Sequence, residues 1–218
     1  MGETGITRKI LWFGIFGIAM GYLESAVVVY LRAIYYPEGF GFPLKTMADY
    51  KIIVEILREA STIVMLLAVS AIGGRSGWER FAHFIFIFGV WDIVYYIGLK
   101  FTLDWPKTIF DWDILFLIPI PWIGPVIAPV SISILFIIAG ILISYLLNNG
   151  YKFRATTPSY LLASIGAGII LYSFMHDTSA SLYQQPPRPY RYELLIIGDV
   201  LFVAALIHSL KKTVAGHE

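Results

Sequence analysis

Runs of about twenty mainly apolar residues, separated by polar stretches, recur six times along the chain. A bilayer's hydrocarbon core is ~30 Å thick, and a helix rising 1.5 Å per residue needs about 20 residues to cross it. The runs cover roughly 10–31, 52–72, 81–99, 126–147, 160–176 and 194–210. The pattern predicts an all-α integral membrane protein, with residues 1–218 forming a single bundle of about six transmembrane helices. Arg8 and Lys9 precede a first run too long for the core of a signal peptide, and no A-x-A-like cleavage site follows, so it reads as a span.

The pattern breaks down before the fourth run, in DWPKTIFDWDILFLIPIPWIGPVIAP. Pro119, Pro121, Pro125 and Pro129 forbid a regular helix through its centre. Trp105, Trp112 and Trp122 suit a membrane–water interface. This Pro/Trp-rich stretch is expected to lie on the membrane or to dip in as a re-entrant segment, where protein or water must satisfy its backbone.

Basic residues orient the bundle weakly. Arg8, Lys9, Arg75, Arg80, Lys152, Arg154, Lys211 and Lys212 fall on one side of a six-span chain. Arg32, Lys45, Lys51, Lys100, Lys107, Arg188 and Arg191 fall on the other, and Arg58 lies inside a span. Eight against seven decides little. The first group sits in short turns and tails, however, and the second in long loops rich in acids, so both termini are placed in the cytoplasm, most simply of a cell (inner) membrane.

Composition agrees with lipid as the main solvent. Residues are 58% hydrophobic and 14% charged, against about 25% charged in soluble domains. A net charge of +1 gives no reason to expect nucleic acid as a partner. There is no cysteine, which removes disulfides, thiolate metal sites and cysteine nucleophiles.

The polar exceptions carry the candidate chemistry. Glu24 lies fourteen residues into an outward-running helix, roughly 21 Å from the inner edge of the core. Asp92 reaches a similar height on the third helix. Glu55, Glu59 and Asp199 sit roughly 6 to 13 Å below the outer edge on inward-running helices, and His176 with Asp177 ends the fifth. Intramembrane charges are costly singly, so acids at one depth on several helices are expected to face a shared interior. Glu55, Arg58, Glu59 and Thr62 share one helix face, as do Gly17, Gly21, Glu24 and Val28. The plainer alternative is a structural network, with Arg58 on its own helix's glutamates, Arg32 reaching Glu24, and outer acids snorkelling to water.

Carboxylates with one histidine suit protons or a hard divalent cation. The leading expectation is a metal-dependent membrane enzyme acting on a lipid or lipophilic small molecule. Glu24, Glu59, Asp92 and Asp199 would be its acid–base groups and, with His176, its metal ligands. Arg32, Arg58 and Tyr96 would bind or orient substrate. One alternative is a cation- or proton-coupled transporter, which predicts a broken helix near the acids. The other is a non-catalytic subunit of a larger, respiratory-type complex, docking protein partners through outer loops 35–50, 100–125 and 177–192. His83 and His208 share a depth near the inner face and could in principle ligate haem, but interfacial or hydrogen-bonded roles are commoner, and they are not taken as a haem site. No phosphate-binding loop, H-E-x-x-H motif or nucleophile elbow is present.

Overall fold

A computed structural model describes residues 3–45 and 49–216. Six long helices and one short one form the body: α1 (Glu3–Tyr35), α2 (Asp49–Gly73), α3 (Gly77–Leu103), α4 (Ile127–Asn148), α5 (Thr157–Met175), α6 (Thr178–Leu182) and α7 (Tyr192–Ala215). Five stretches are long and apolar enough to cross a membrane: most of α1, then α3, α4, α5 running on through α6, and α7. The remaining long helix, α2, matches the second expected span in position but carries Lys51, Glu55, Arg58 and Glu59 in its first half.

Local signals set several ends. Ser76 caps α3 by accepting a hydrogen bond from the Glu79 amide (3.1 Å), the arrangement that a Ser-x-x-Glu sequence favours. Asp104 closes the same helix in the left-handed region (φ 49°), which aspartate tolerates better than most residues. Pro158 opens α5, where its missing N–H costs nothing.

The long helices alternate in direction. Lys9 near the start of α1 donates to the Gly73 carbonyl at the end of α2 and to Glu79 at the start of α3 (3.0 and 2.7 Å), so these three ends share one face. Arg154, just before α5, donates from its amide to Thr213 near the end of α7 (2.9 Å), and the Phe153 ring packs on Trp78 of α3, on that face too. The basic residues assigned to the inner side therefore gather at one end of the bundle. Parallel α1 and α3 approach closely at Gly21, where an added Cβ would lie 2.6 Å from the Trp91 carbonyl oxygen. This matches the small-residue face expected on the first helix. Helix α3 packs in turn on α4, whereas α5 and α7 pair with each other and meet the rest through α4 and the segment before it.

That segment is a β-hairpin rather than an irregular re-entrant loop. Strand β1 (Trp112–Phe116) pairs antiparallel with β2 (Trp122–Pro125), matching Trp112 to Pro125 and Ile114 to Ile123. Aromatic and branched residues favour the strands. Pro119 and Pro121 fall in the turn, Pro125 ends β2, and Pro129 enters the first turn of α4, so all four prolines sit where a missing N–H is tolerated. Buried Ile123, Pro125 and Asp113 root the hairpin in the end of the bundle opposite Lys9.

Candidate functional site

The i, i+3, i+4 spacing on α2 brings Glu55, Arg58, Glu59 and Thr62 to one face, as expected, and that face meets Glu24 of α1. Arg58 is the hub. Its Nε donates to Glu55 Oε2 (2.7 Å), its Nη1 donates to Glu24, and its Nη2 pairs with Glu59 Oε1 at 3.9 Å. The opposite oxygen of Glu59 accepts a hydrogen bond from the Leu117 amide at the hairpin tip (2.9 Å). One guanidinium thus serves three carboxylates from two helices, beneath a backbone donor from a third element.

A second group lies beside it, at the same end of the bundle. Arg32 donates from Nη2 to Asp113 Oδ1 of β1 (2.9 Å), and Tyr95 donates to Asp113 Oδ2 (3.2 Å). The Arg32 guanidinium lies against both Trp105 and Phe40, 3.7 and 4.2 Å from the ring centres, the two rings standing nearly perpendicular to each other. Burial raises the Asp113 carboxyl above its ordinary range, and Arg32 partly opposes this. Tyr96 packs against Tyr95 (4.8 Å between ring centres) and is buried. Arg32 therefore takes Asp113 as its partner, not Glu24.

The other expected ligands go elsewhere. Asp92 accepts from Ser133 of α4 (2.8 Å), so the helix without an ionisable residue supplies a hydroxyl instead. Asp199 Oδ1 and His176 Nδ1 are buried without a hydrogen-bond partner among the described residues. Asp177 turns to its own loop and accepts from the Arg188 amide (2.6 Å). Among the described residues no group of three or more histidines and acids could hold a metal ion. The physical reason is that Glu24, Glu59 and Asp92 are each turned toward a donor of their own: Arg58, the Leu117 amide and Ser133. His83 is fully buried against Phe13 (4.4 Å between ring centres), with neither ring nitrogen partnered among the described residues. His208 is half-buried on α7, which packs mainly on α5 and α4.

Against the second group an open cavity of about 1080 Å³ is walled by Tyr36, Phe40, Trp105, Phe110 and Trp112, with Arg32 in its lining. At its rim Lys100 (2.8 Å) and Lys107 both donate to exposed Asp104. Hydrogen bonds from these lysines, reinforced by their charges, hold the Asp104 carboxyl down at about 2.

The chain matches no protein-family model, no curated protein and no solved structure.

Proposed function

We propose that the protein is a membrane-embedded acid–base enzyme acting from the outer side on a lipophilic small molecule, with Glu24 and Glu59 as its proton-transfer groups and Arg58 orienting them. The observation that carries this reading is the sharing of one guanidinium by three carboxylates. Three acids against one base leave a surplus of two negative charges in a largely buried place, and a shared proton reduces it. A proton held between close carboxylates is available for transfer, which is what a general acid requires. The separate donors found for Glu24, Glu59 and Asp92 favour this over a metal-assisted route.

Infrared spectroscopy of the detergent-solubilised protein tests the reading. Its pH titration should contain a protonated-carboxyl band that is reduced in Glu24→Gln and Glu59→Gln and unchanged in Glu193→Gln. Identical titrations in all four proteins would make the cluster a fixed brace and overturn the proposal.

Proton-coupled transport is the second reading, and buried, unpartnered His83 favours it. It lies nine residues before Asp92 on α3, about 13 Å toward the inner face, where an imidazole could relay protons. Against it, α1, α2 and α3 run unbroken past their acids. Proton flux into proteoliposomes that is lost in His83→Phe would select transport.

A further inference from the structure

Arg32 is 6% exposed, and only part of its hydrogen-bonding capacity is used. Nη2 reaches Asp113, whereas Nη1 is buried without a partner among the described residues. A buried charged donor left unmatched is expensive, and such a donor in the lining of a cavity is most simply explained by an acceptor that comes and goes. Trp105 and Phe40, their rings nearly perpendicular, already cover two sides of the guanidinium.

We infer that the outer cavity is a binding site for a neutral molecule with a flat apolar ring system and a carbonyl oxygen, the oxygen accepting from Arg32 Nη1. The walls supply ring faces of the kind that stack on such a body. Charge argues for neutrality. Asp113 already balances Arg32, Lys107 is paired with Asp104, and Glu38 and Asp111 add negative charge to the lining, so an anion would be repelled. The volume suits a small organic ligand, since such pockets run from about 300 to 1,000 Å³. For an oxygen to reach buried Nη1, the ring of Phe40, carried on a loop rather than a helix, must swing aside. The inference does not rest on the proton chemistry proposed for Arg58.

The test uses menadione, a neutral two-ring diketone, titrated into the full-length protein in a fixed detergent while tryptophan fluorescence is followed. The absence of cysteine excludes thiol addition as a source of signal. Saturable quenching is expected, with most of it lost in Trp105→Phe. Arg32→Lys keeps a positive charge for Asp113 and removes the Nη1 donor, so binding should weaken about tenfold or more. Phe110→Ala alters an exposed wall whose one ring contact among the described residues is edge-on to Tyr192, and should weaken binding by about threefold or more with little change in the melting temperature. Naphthoate, the anionic counterpart, should bind more weakly than menadione. Non-saturable quenching, naphthoate binding as tightly as menadione, or unchanged affinity in both Arg32→Lys and Phe110→Ala would each overturn the inference.

Discussion

Replacing Arg58 with methionine tests the energetics of the central cluster. The change keeps an unbranched side chain of similar reach on α2 and deletes the charge that Glu24, Glu55 and Glu59 share. Removing one partner of a buried ion pair costs about 3–5 kcal/mol, because the charge left behind has lost both water and its counter-ion. The side chains concerned are 21% (Arg58), 13% (Glu24), 10% (Glu55) and 8% (Glu59) exposed, which argues for the lower end, about 3 kcal/mol. At about 2–4 °C per kcal/mol for a chain of this size, the melting temperature should fall by about 6–12 °C. Thermal denaturation of detergent-purified protein, followed by circular dichroism, measures it. The decisive comparison is Arg58→Met combined with Glu24→Gln and Glu59→Gln. Neutralising two of the three stranded carboxylates should recover more than half of the loss, since only Glu55 then keeps a charge without its counter-ion. If Arg58→Met melts within about 2 °C of the wild type, or the triple variant melts no higher than the single, the cluster is not a coupled buried network and the reasoning fails.

Three further outcomes are expected. Gly21→Ala places a Cβ 2.6 Å from the Trp91 carbonyl oxygen and should cost about 1–3 kcal/mol in the same denaturation assay, whereas Gly77→Ala, which meets nothing within 4 Å, should change little. The Asp104 carboxyl is held at about 2, below its ordinary 3.8, so the stability it contributes is complete above the ordinary value and lost as pH falls through the lower one. The difference in melting temperature between wild type and Asp104→Asn should therefore hold down to about pH 4 and close by about pH 2. With no native cysteine to interfere, Lys107→Cys in intact cells should react with an impermeant maleimide, and Lys152→Cys should react only after the membrane is opened; the reverse pattern would invert the assigned orientation.

The long helices were legible because their signal is length and apolarity, which need no knowledge of neighbours. The face shared by Glu55, Arg58 and Glu59 was legible for a similar reason, since helical spacing is local. Which acid joins that face was not. Glu24 and Asp92 stand at similar depths in the sequence, yet only Glu24 points at Arg58, while Asp92 looks across α3 to Ser133. Depth follows from counting residues, but direction around the helix axis depends on which neighbour each helix packs against. Asp113 illustrates the same limit. It lay in a stretch whose prolines spoke only against a helix, and its buried position opposite Arg32 depends on a hairpin register that pairs residues far from either helix. The missed signal was Arg32 itself: an arginine at the outer end of a span must have an acceptor, and the acid-rich loop before α4 was the place to look for it.

The hairpin makes the two outer groups one system. Trp112 stands in the cavity wall, Asp113 holds Arg32 and Tyr95, and the Leu117 amide holds Glu59, all within six consecutive residues. Because side chains alternate across a strand, a slip of one residue would turn Asp113 away from Arg32 and remove the Leu117 donor from Glu59 together. A ligand that bears on Trp112 therefore acts on the same short element that donates to Glu59, and a change of charge at Glu59 acts on the element that walls the cavity. Linkage makes such an influence reciprocal: whatever factor protonation at Glu59 applies to ligand affinity, the ligand applies to proton affinity. The cavity and the carboxylates are thus joined through backbone, and a substitution in the hairpin should disturb both directly.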